Sequence, residues 1–184
     1  SIRLAADWLT RQRTSEGDFE YGREPSLDVP LADNAPIRQA GAAAALAQAA
    51  SYLHDDSLSG AAADVLRTLI AKHTKEQEGG GRRPSAPRHS GHPLGLAALL
   101  VLGIGELDSA PAPLLAARRE LAEYLLLRQR ADGSFNLTPS EDPADDDGED
   151  DLAAIAYYPG EAMYALARGS WGDDALDERC TESV

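Results

Sequence analysis

Three times along this sequence an amphipathic helical segment ends, a long polar stretch follows, and a segment that is small and apolar on nearly every side begins. The second segments start around Ala40-Gly41-Ala42-Ala43, Leu94-Gly95-Leu96-Ala97 and Pro159-Gly160-Glu161-Ala162. The stretches leading into them are long (Thr14 to Asn34, Gln77 to Gly91, Ala131 to Tyr157), and those leading out are short (His54 to Ser57, Gly105 to Pro111). Alternating long and short connections put every long loop at one end of a helical stack. Long loops on a rigid frame are where binding and catalysis concentrate, so that rim is the place to look for function.

Periodicity predicts the helices. Ile2, Ala5, Ala6 and Leu9 share one face, bordered by Trp8, in a first helix over Ile2–Arg13. Asp55-Asp56-Ser57 supplies N-capping side chains for a third helix, whose Leu58, Ala62, Val65, Leu66, Leu69 and Ile70 form a stripe. A fifth helix starts near Pro111 and carries Leu114, Ala117, Leu121, Tyr124 and Leu125. The second (Ala35–Leu53), fourth (Pro93–Ile104) and sixth (Pro159–Arg168) segments are apolar almost all round. One-sided helices face solvent and all-round apolar helices are buried. The expected fold is therefore all-α, about three hairpins with inner apolar helices wrapped by outer amphipathic ones. It forms one domain over residues 1–170, and 171–184 is a tail or the start of a further hairpin. Glycine near each inner-helix start costs about 1 kcal/mol of helix stability, which points to close backbone approach there.

Charge narrows the partners. The formal net charge is -14, which argues against nucleic acid and anionic lipid, both of which need basic surfaces. Cys180 is the one cysteine, so an intrachain disulfide and a cysteine-based zinc site are excluded. No signal peptide is visible, and the longest apolar run, Leu94 to Ile104, is too short to span a bilayer. The expectation is a soluble protein of unassigned compartment.

A weak internal repeat supports stacked hairpins. Gln12-Arg13 followed by Glu16-Gly17-Asp18-Phe19 echoes Gln129-Arg130 followed by Asp132-Gly133-Ser134-Phe135. With Asp33-Asn34, Arg38-Gln39-Ala40-Gly41 and Tyr158-Pro159-Gly160-Glu161-Ala162, these residues resemble the α/α toroids. The Gly-Ser-Phe turn is similar to those of the terpenoid cyclase and protein prenyltransferase group. The other two segments look more like helix starts in the six-hairpin glycosidases. The resemblance covers roughly Ile2 to Arg168 and implies a partial ring, because a full toroid has more hairpins than the three supplied here. It leaves three expectations open: part of a longer protein, a half-ring completed by self-association, or an open arc.

At the rim, helix N-termini favour anions. Arg38 and His92 lie in or next to first turns of inner helices, and Arg82, Arg83 and Arg88 lie in the second loop. They suit an acidic sugar, or Arg38 pairs with Asp33 and orders the loop. Asp33, Asp151 and Glu161 are the carboxylates nearest the inner-helix starts. Asp33 and Glu161 are the acid/base candidates, since glycoside cleavage needs two carboxylates flanking one bond; the alternative for both is N-capping. Tyr158 offers a stacking face, as do Tyr157 and Phe19, unless these rings simply pack loops onto helices. Arg38, His92, Tyr158 and Asp151 are the expected substrate-binding residues. The acidic run Asp142 to Asp151 has the oxygens for calcium, but with Gly148 in the glycine position Pro143 falls where an EF-hand needs its first aspartate. A solvated acidic loop without metal or cofactor is the simpler expectation. Functionally the chain reads as a carbohydrate-related toroid domain, sugar-binding or hydrolytic. The alternatives are a non-catalytic interaction scaffold and half of a terpenoid-cyclase-like toroid, the latter disfavoured by 5% aromatic residues.

Overall fold

Short polar side chains and prolines set the helix boundaries. The computed structural model describes residues 1–31, 34–85, 93–137, 152–168 and 174–182. In it α1 (Ile2–Arg11) opens with the Ser1 hydroxyl accepting from the Leu4 N–H. α3 (Asp56–His73) opens with the Asp55 carboxylate accepting from the N–H groups of Ser57 and Leu58, both at 3.0 Å. A carboxylate at that place also meets the positive end of the helix dipole. α2 (Pro36–Leu53) and α5 (Ala112–Arg128) begin at prolines, which give up an N–H that has no intrahelical partner anyway. His54 ends α2 with a left-handed φ of 51°, and Asp55 turns the chain directly into α3. α4 (Pro93–Gly105), α6 (Leu152–Ala167) and α7 (Asp174–Glu182) complete the described helices. Two short antiparallel ribbons sit inside the long connections: β1 (Arg23–Glu24) with β2 (Val29–Pro30), and β3 (Thr74–Glu76) with β4 (Arg82–Pro84).

The all-α class expected from periodicity is what forms. α2 packs on α4 and α4 packs on α6, while α3 lies mainly on α2, α5 mainly on α4, and α1 on α2. Leu46 of α2, Leu66 and Leu69 of α3, Leu94 and Leu100 of α4, and Leu121 and Leu125 of α5 are fully buried between them. α2 and α4 approach closely at Gly103, where an added Cβ would lie 3.2 Å from the Ala44 Cα.

Burial corrects the sequence expectation for two of the three apolar helices. α4 is enclosed because α2 and α6 flank it on either side. Among the described elements α2 and α6 each have only α4 as a neighbour of the apolar kind. α2 therefore shows Ala45, Gln48 and Tyr52 to solvent, and α6 shows Tyr157, Met163 and Tyr164. All-round apolarity permits burial; the number of neighbours decides it.

Helix limits shift as well. α6 begins at Leu152 and not at Pro159, so Pro159 lies inside it. An interior proline removes one helical hydrogen bond, which made it look like a start in the sequence. Among the described residues no atom lies within 4 Å of a Cβ added at Gly160, and its lack of a side chain has no structural explanation there. α1 ends at Arg11 because Arg13 is drawn into an antiparallel bridge with Phe19. α7 falls within the stretch read as a tail or a further hairpin.

The two echoed turns are the same bond for bond. Arg13 bridges Phe19 and Gln129 bridges Phe135. In the first, the Thr14 N–H donates to the Asp18 carbonyl and the Glu20 N–H to the Gln12 carbonyl, both at 2.8 Å. In the second, the Arg130 N–H donates to the Ser134 carbonyl and the Asn136 N–H to the Arg128 carbonyl, both at 2.7 Å. Gly17 and Gly133 both take left-handed φ, 86° and 84°, a conformation only glycine adopts at little cost.

Candidate functional site

The starts of α2 and α4 and the middle of α6 converge at Gly95. A Cβ there would collide with the Tyr158 ring and lie 2.8 Å from the Ile37 Cδ1. Glycine is required at this point because two side chains from neighbouring helices close over its backbone. The Tyr158 ring is thus half-buried against α4, while Tyr157 is 67% exposed. Phe19 is 5% exposed, so it belongs to the core and offers no face to a ligand.

Arg38, in the first turn of α2, is exposed. Its Nη1 donates to the Tyr21 hydroxyl at 2.7 Å, and its guanidinium carbon lies 5.5 Å from the centre of the Tyr21 ring. Among the described residues it has no carboxylate partner; the same holds for Arg128, whose guanidinium carbon lies 5.1 Å from the centre of the Tyr124 ring, whereas Arg3, Arg23, Arg82, Arg168 and Arg179 pair with acids. Tyr21 was invisible to sequence reading, because no pattern links a loop tyrosine to a helix-start arginine. Arg82 was expected as a rim cation, but it is spent on Glu120 at 2.9 Å, Glu76 at 2.8 Å and the Thr74 hydroxyl at 2.9 Å.

Glu161 sits in the interior of α6. The first-turn capping role considered for it is therefore removed. Its side chain is half-buried, its Oε2 is buried without a hydrogen-bond partner, and burial alone pushes the carboxyl above the usual carboxylate range. Asp33, His92, Asp151 and the Asp142–Asp151 loop lie outside the described residues. Among the described residues no cluster of metal-ligating side chains forms.

A second concavity lies away from this rim. α1 and α2 border an apolar groove of about 410 Å³ lined by Ile2, Ala5, Leu9, Ala45, Ala49 and Tyr52. The sequence reading had placed this face of α2 in the core. No family model, no curated protein and no solved structure matches this chain.

Proposed function

We propose that the chain is an arc of an α/α toroid whose rim binds a carbohydrate carrying a carboxylate, such as a uronate. The observation that carries this reading is Arg38, a cation held in place by the Tyr21 hydroxyl and ring with no carboxylate of its own among the described residues. A guanidinium positioned by a neutral group keeps its donors for an incoming anion, and arginine matches a carboxylate in two-point geometry. The positive end of the α2 dipole lies at the same end. Glu161 contributes a carboxyl that burial raises above the usual carboxylate range. Asp33 and Glu161 are the acid/base pair of this proposal, with His92, Tyr158 and Asp151 as further ligand contacts.

A thermal-shift series tests it. A uronate raises the melting temperature of the native chain by mass action, a neutral sugar raises it less, and both Arg38→Ala and Tyr21→Phe reduce the uronate effect without lowering the baseline melting temperature. No shift with any sugar removes the reading. That result would favour the alternative, a non-catalytic interaction domain, for which the apolar α1–α2 groove is the supporting observation.

A further inference from the structure

The helices of this chain pack by one rule, used twice. An outer helix lies mainly on the inner helix of the hairpin before it: α3 mainly on α2 and less on α4, α5 mainly on α4 and less on α6. The groove between the two helices of a hairpin is thus filled by the preceding inner helix, α2 between α3 and α4, and α4 between α5 and α6. α1 and α2 form the first hairpin, and among the described elements no inner helix fills their groove. It stays open, with about 410 Å³ between Ile2 and Leu9 on one wall and Ala45, Ala49 and Tyr52 on the other. Burial follows the same division. α3 and α5 bury Leu66, Leu69, Leu121 and Leu125, whereas α1 buries Ala6 and leaves Ile2, Leu4 and Trp8 exposed.

The other end of the inner row carries the counterpart. α6 packs on α4 through one face, where Ala162, Ala165 and Leu166 are buried. Helical spacing puts Tyr157, Gly160, Met163 and Tyr164 together on the opposite face, and all four are exposed. Gly160 lies at the centre of that face. The interior glycines of α4 mark places where a neighbouring inner helix comes close: Gly95 meets Tyr158 and Ile37, and a Cβ at Gly103 would lie 3.2 Å from the Ala44 Cα. Gly160 occupies the same kind of position on α6, and among the described residues nothing approaches it.

We propose that a second copy of this chain covers the groove: the open face of α6 in one copy seats between α1 and α2 of the next, in the place that α2 and α4 fill in the later hairpins. Each copy then uses two different surfaces, one at either end of its row of inner helices. A contact between unlike surfaces is head-to-tail. It closes into a pair or a ring where the rotation allows and runs on as a filament where it does not. The proposal does not rest on the carbohydrate reading.

The two surfaces match in shape and in chemistry. The α2 wall of the groove is small at Ala45 and Ala49, and α6 offers the large side chains of Tyr157, Met163 and Tyr164. Gly160 lets the helix backbones approach between them. Neither surface carries a charge into the contact. The groove is lined by apolar side chains and the neutral amide of Gln48. At the end of α6, Arg168 is already paired with Glu106 at 2.7 Å. Aromatic and methionine side chains without charges are the composition of interface centres.

Sedimentation velocity over a concentration series tests it. Physiological ionic strength is needed, because each copy carries a net charge of -14 and salt screens that repulsion beyond about 8 Å. The mass of the native chain is expected to rise with concentration. Ala45→Glu in the groove and Tyr164→Glu on α6 each weaken association by about tenfold or more, since each brings an unpaired charge into an apolar contact. Both positions are exposed, so the melting temperature of the dilute chain stays unchanged; Gln48→Glu and Met163→Glu replace either variant that fails to fold. The decisive step is to mix the two variants. Ala45→Glu keeps a sound α6 face and Tyr164→Glu keeps a sound groove, so the equimolar mixture forms a two-chain complex that neither forms alone. A native chain that stays monomeric throughout the series overturns the proposal. So does a Tyr164→Glu chain that associates as the native one does, which would mean a groove-to-groove pair, and so does a mixture no heavier than its components.

Discussion

The turn after α1 and the turn after α5 close with the same backbone bonds, and their surroundings differ at three points. Behind Gly17 stands Thr68 of α3, whose Oγ1 would lie 2.6 Å from an added Cβ; behind Gly133 no atom of the described residues lies within 4 Å. Asp18 is buried and held by the Thr14 hydroxyl at 2.5 Å and Lys72 at 3.0 Å, whereas its counterpart Ser134 is exposed. Burial would raise the Asp18 carboxyl, but hydrogen bonds from Thr14 and Lys72 outweigh it and leave the group below the usual range. Phe19 has the Gln39 grip, and Phe135 has no such grip among the described residues. The shape of the turn is thus a local property, and its anchoring is a tertiary one. The first turn is tied to α2 and α3; the second, among the described residues, is held by its own bridge and by the packing of Phe135.

Truncating the aromatic anchors gives the largest expected effect. Phe19→Ala and Phe135→Ala each remove a buried ring and should cost about 3–5 kcal/mol in urea unfolding. The loss at Phe19 should be the larger, because collapse there also disturbs Gln39. Equal losses would mean that the grip adds nothing to ring burial.

Gln39→Ala isolates the grip. It leaves the Phe19 N–H and C=O buried and unpaired, at about 1–3 kcal/mol for each unsatisfied group. Unchanged unfolding midpoints in this variant would show that water replaces the amide and that the two turns are equivalent in solution.

The glycines should give the smallest effect and the sharpest contrast. Gly133→Ala should cost about 1–2 kcal/mol, the price of a left-handed non-glycine residue. Gly17→Ala should cost more, since its methyl must also displace Thr68, whose hydroxyl donates to the Asp64 carbonyl at 3.1 Å. Thermal melts of the two variants compare them directly, and equal shifts would mean that Thr68 rotates away freely.

Much of the frame was legible along the chain. The turn glycines, the Asp55 cap and the stripe of α3 depend on neighbours within a turn or two, and their residues state their conformation. The candidate site was legible only in part. Arg38 was singled out for its place at a helix start, but its partner Tyr21 comes from a loop with no pattern to announce it. Glu161 was singled out as a first-turn carboxylate, and the longer α6 gives it a different setting altogether. Tyr158 was read as a free aromatic face, while Gly95, distant in sequence, takes in part of its ring.

What the sequence determined by itself is the all-α class, the alternation of one-sided and apolar helices, and the doubled turn, because periodicity and backbone sterics act between residues close in the chain. What only the tertiary structure decided is which apolar helix is enclosed, that Arg38 meets Tyr21, and that Phe19 is gripped by Gln39. Those outcomes depend on what stands opposite a side chain, and helices far apart in sequence supply it only once they pack.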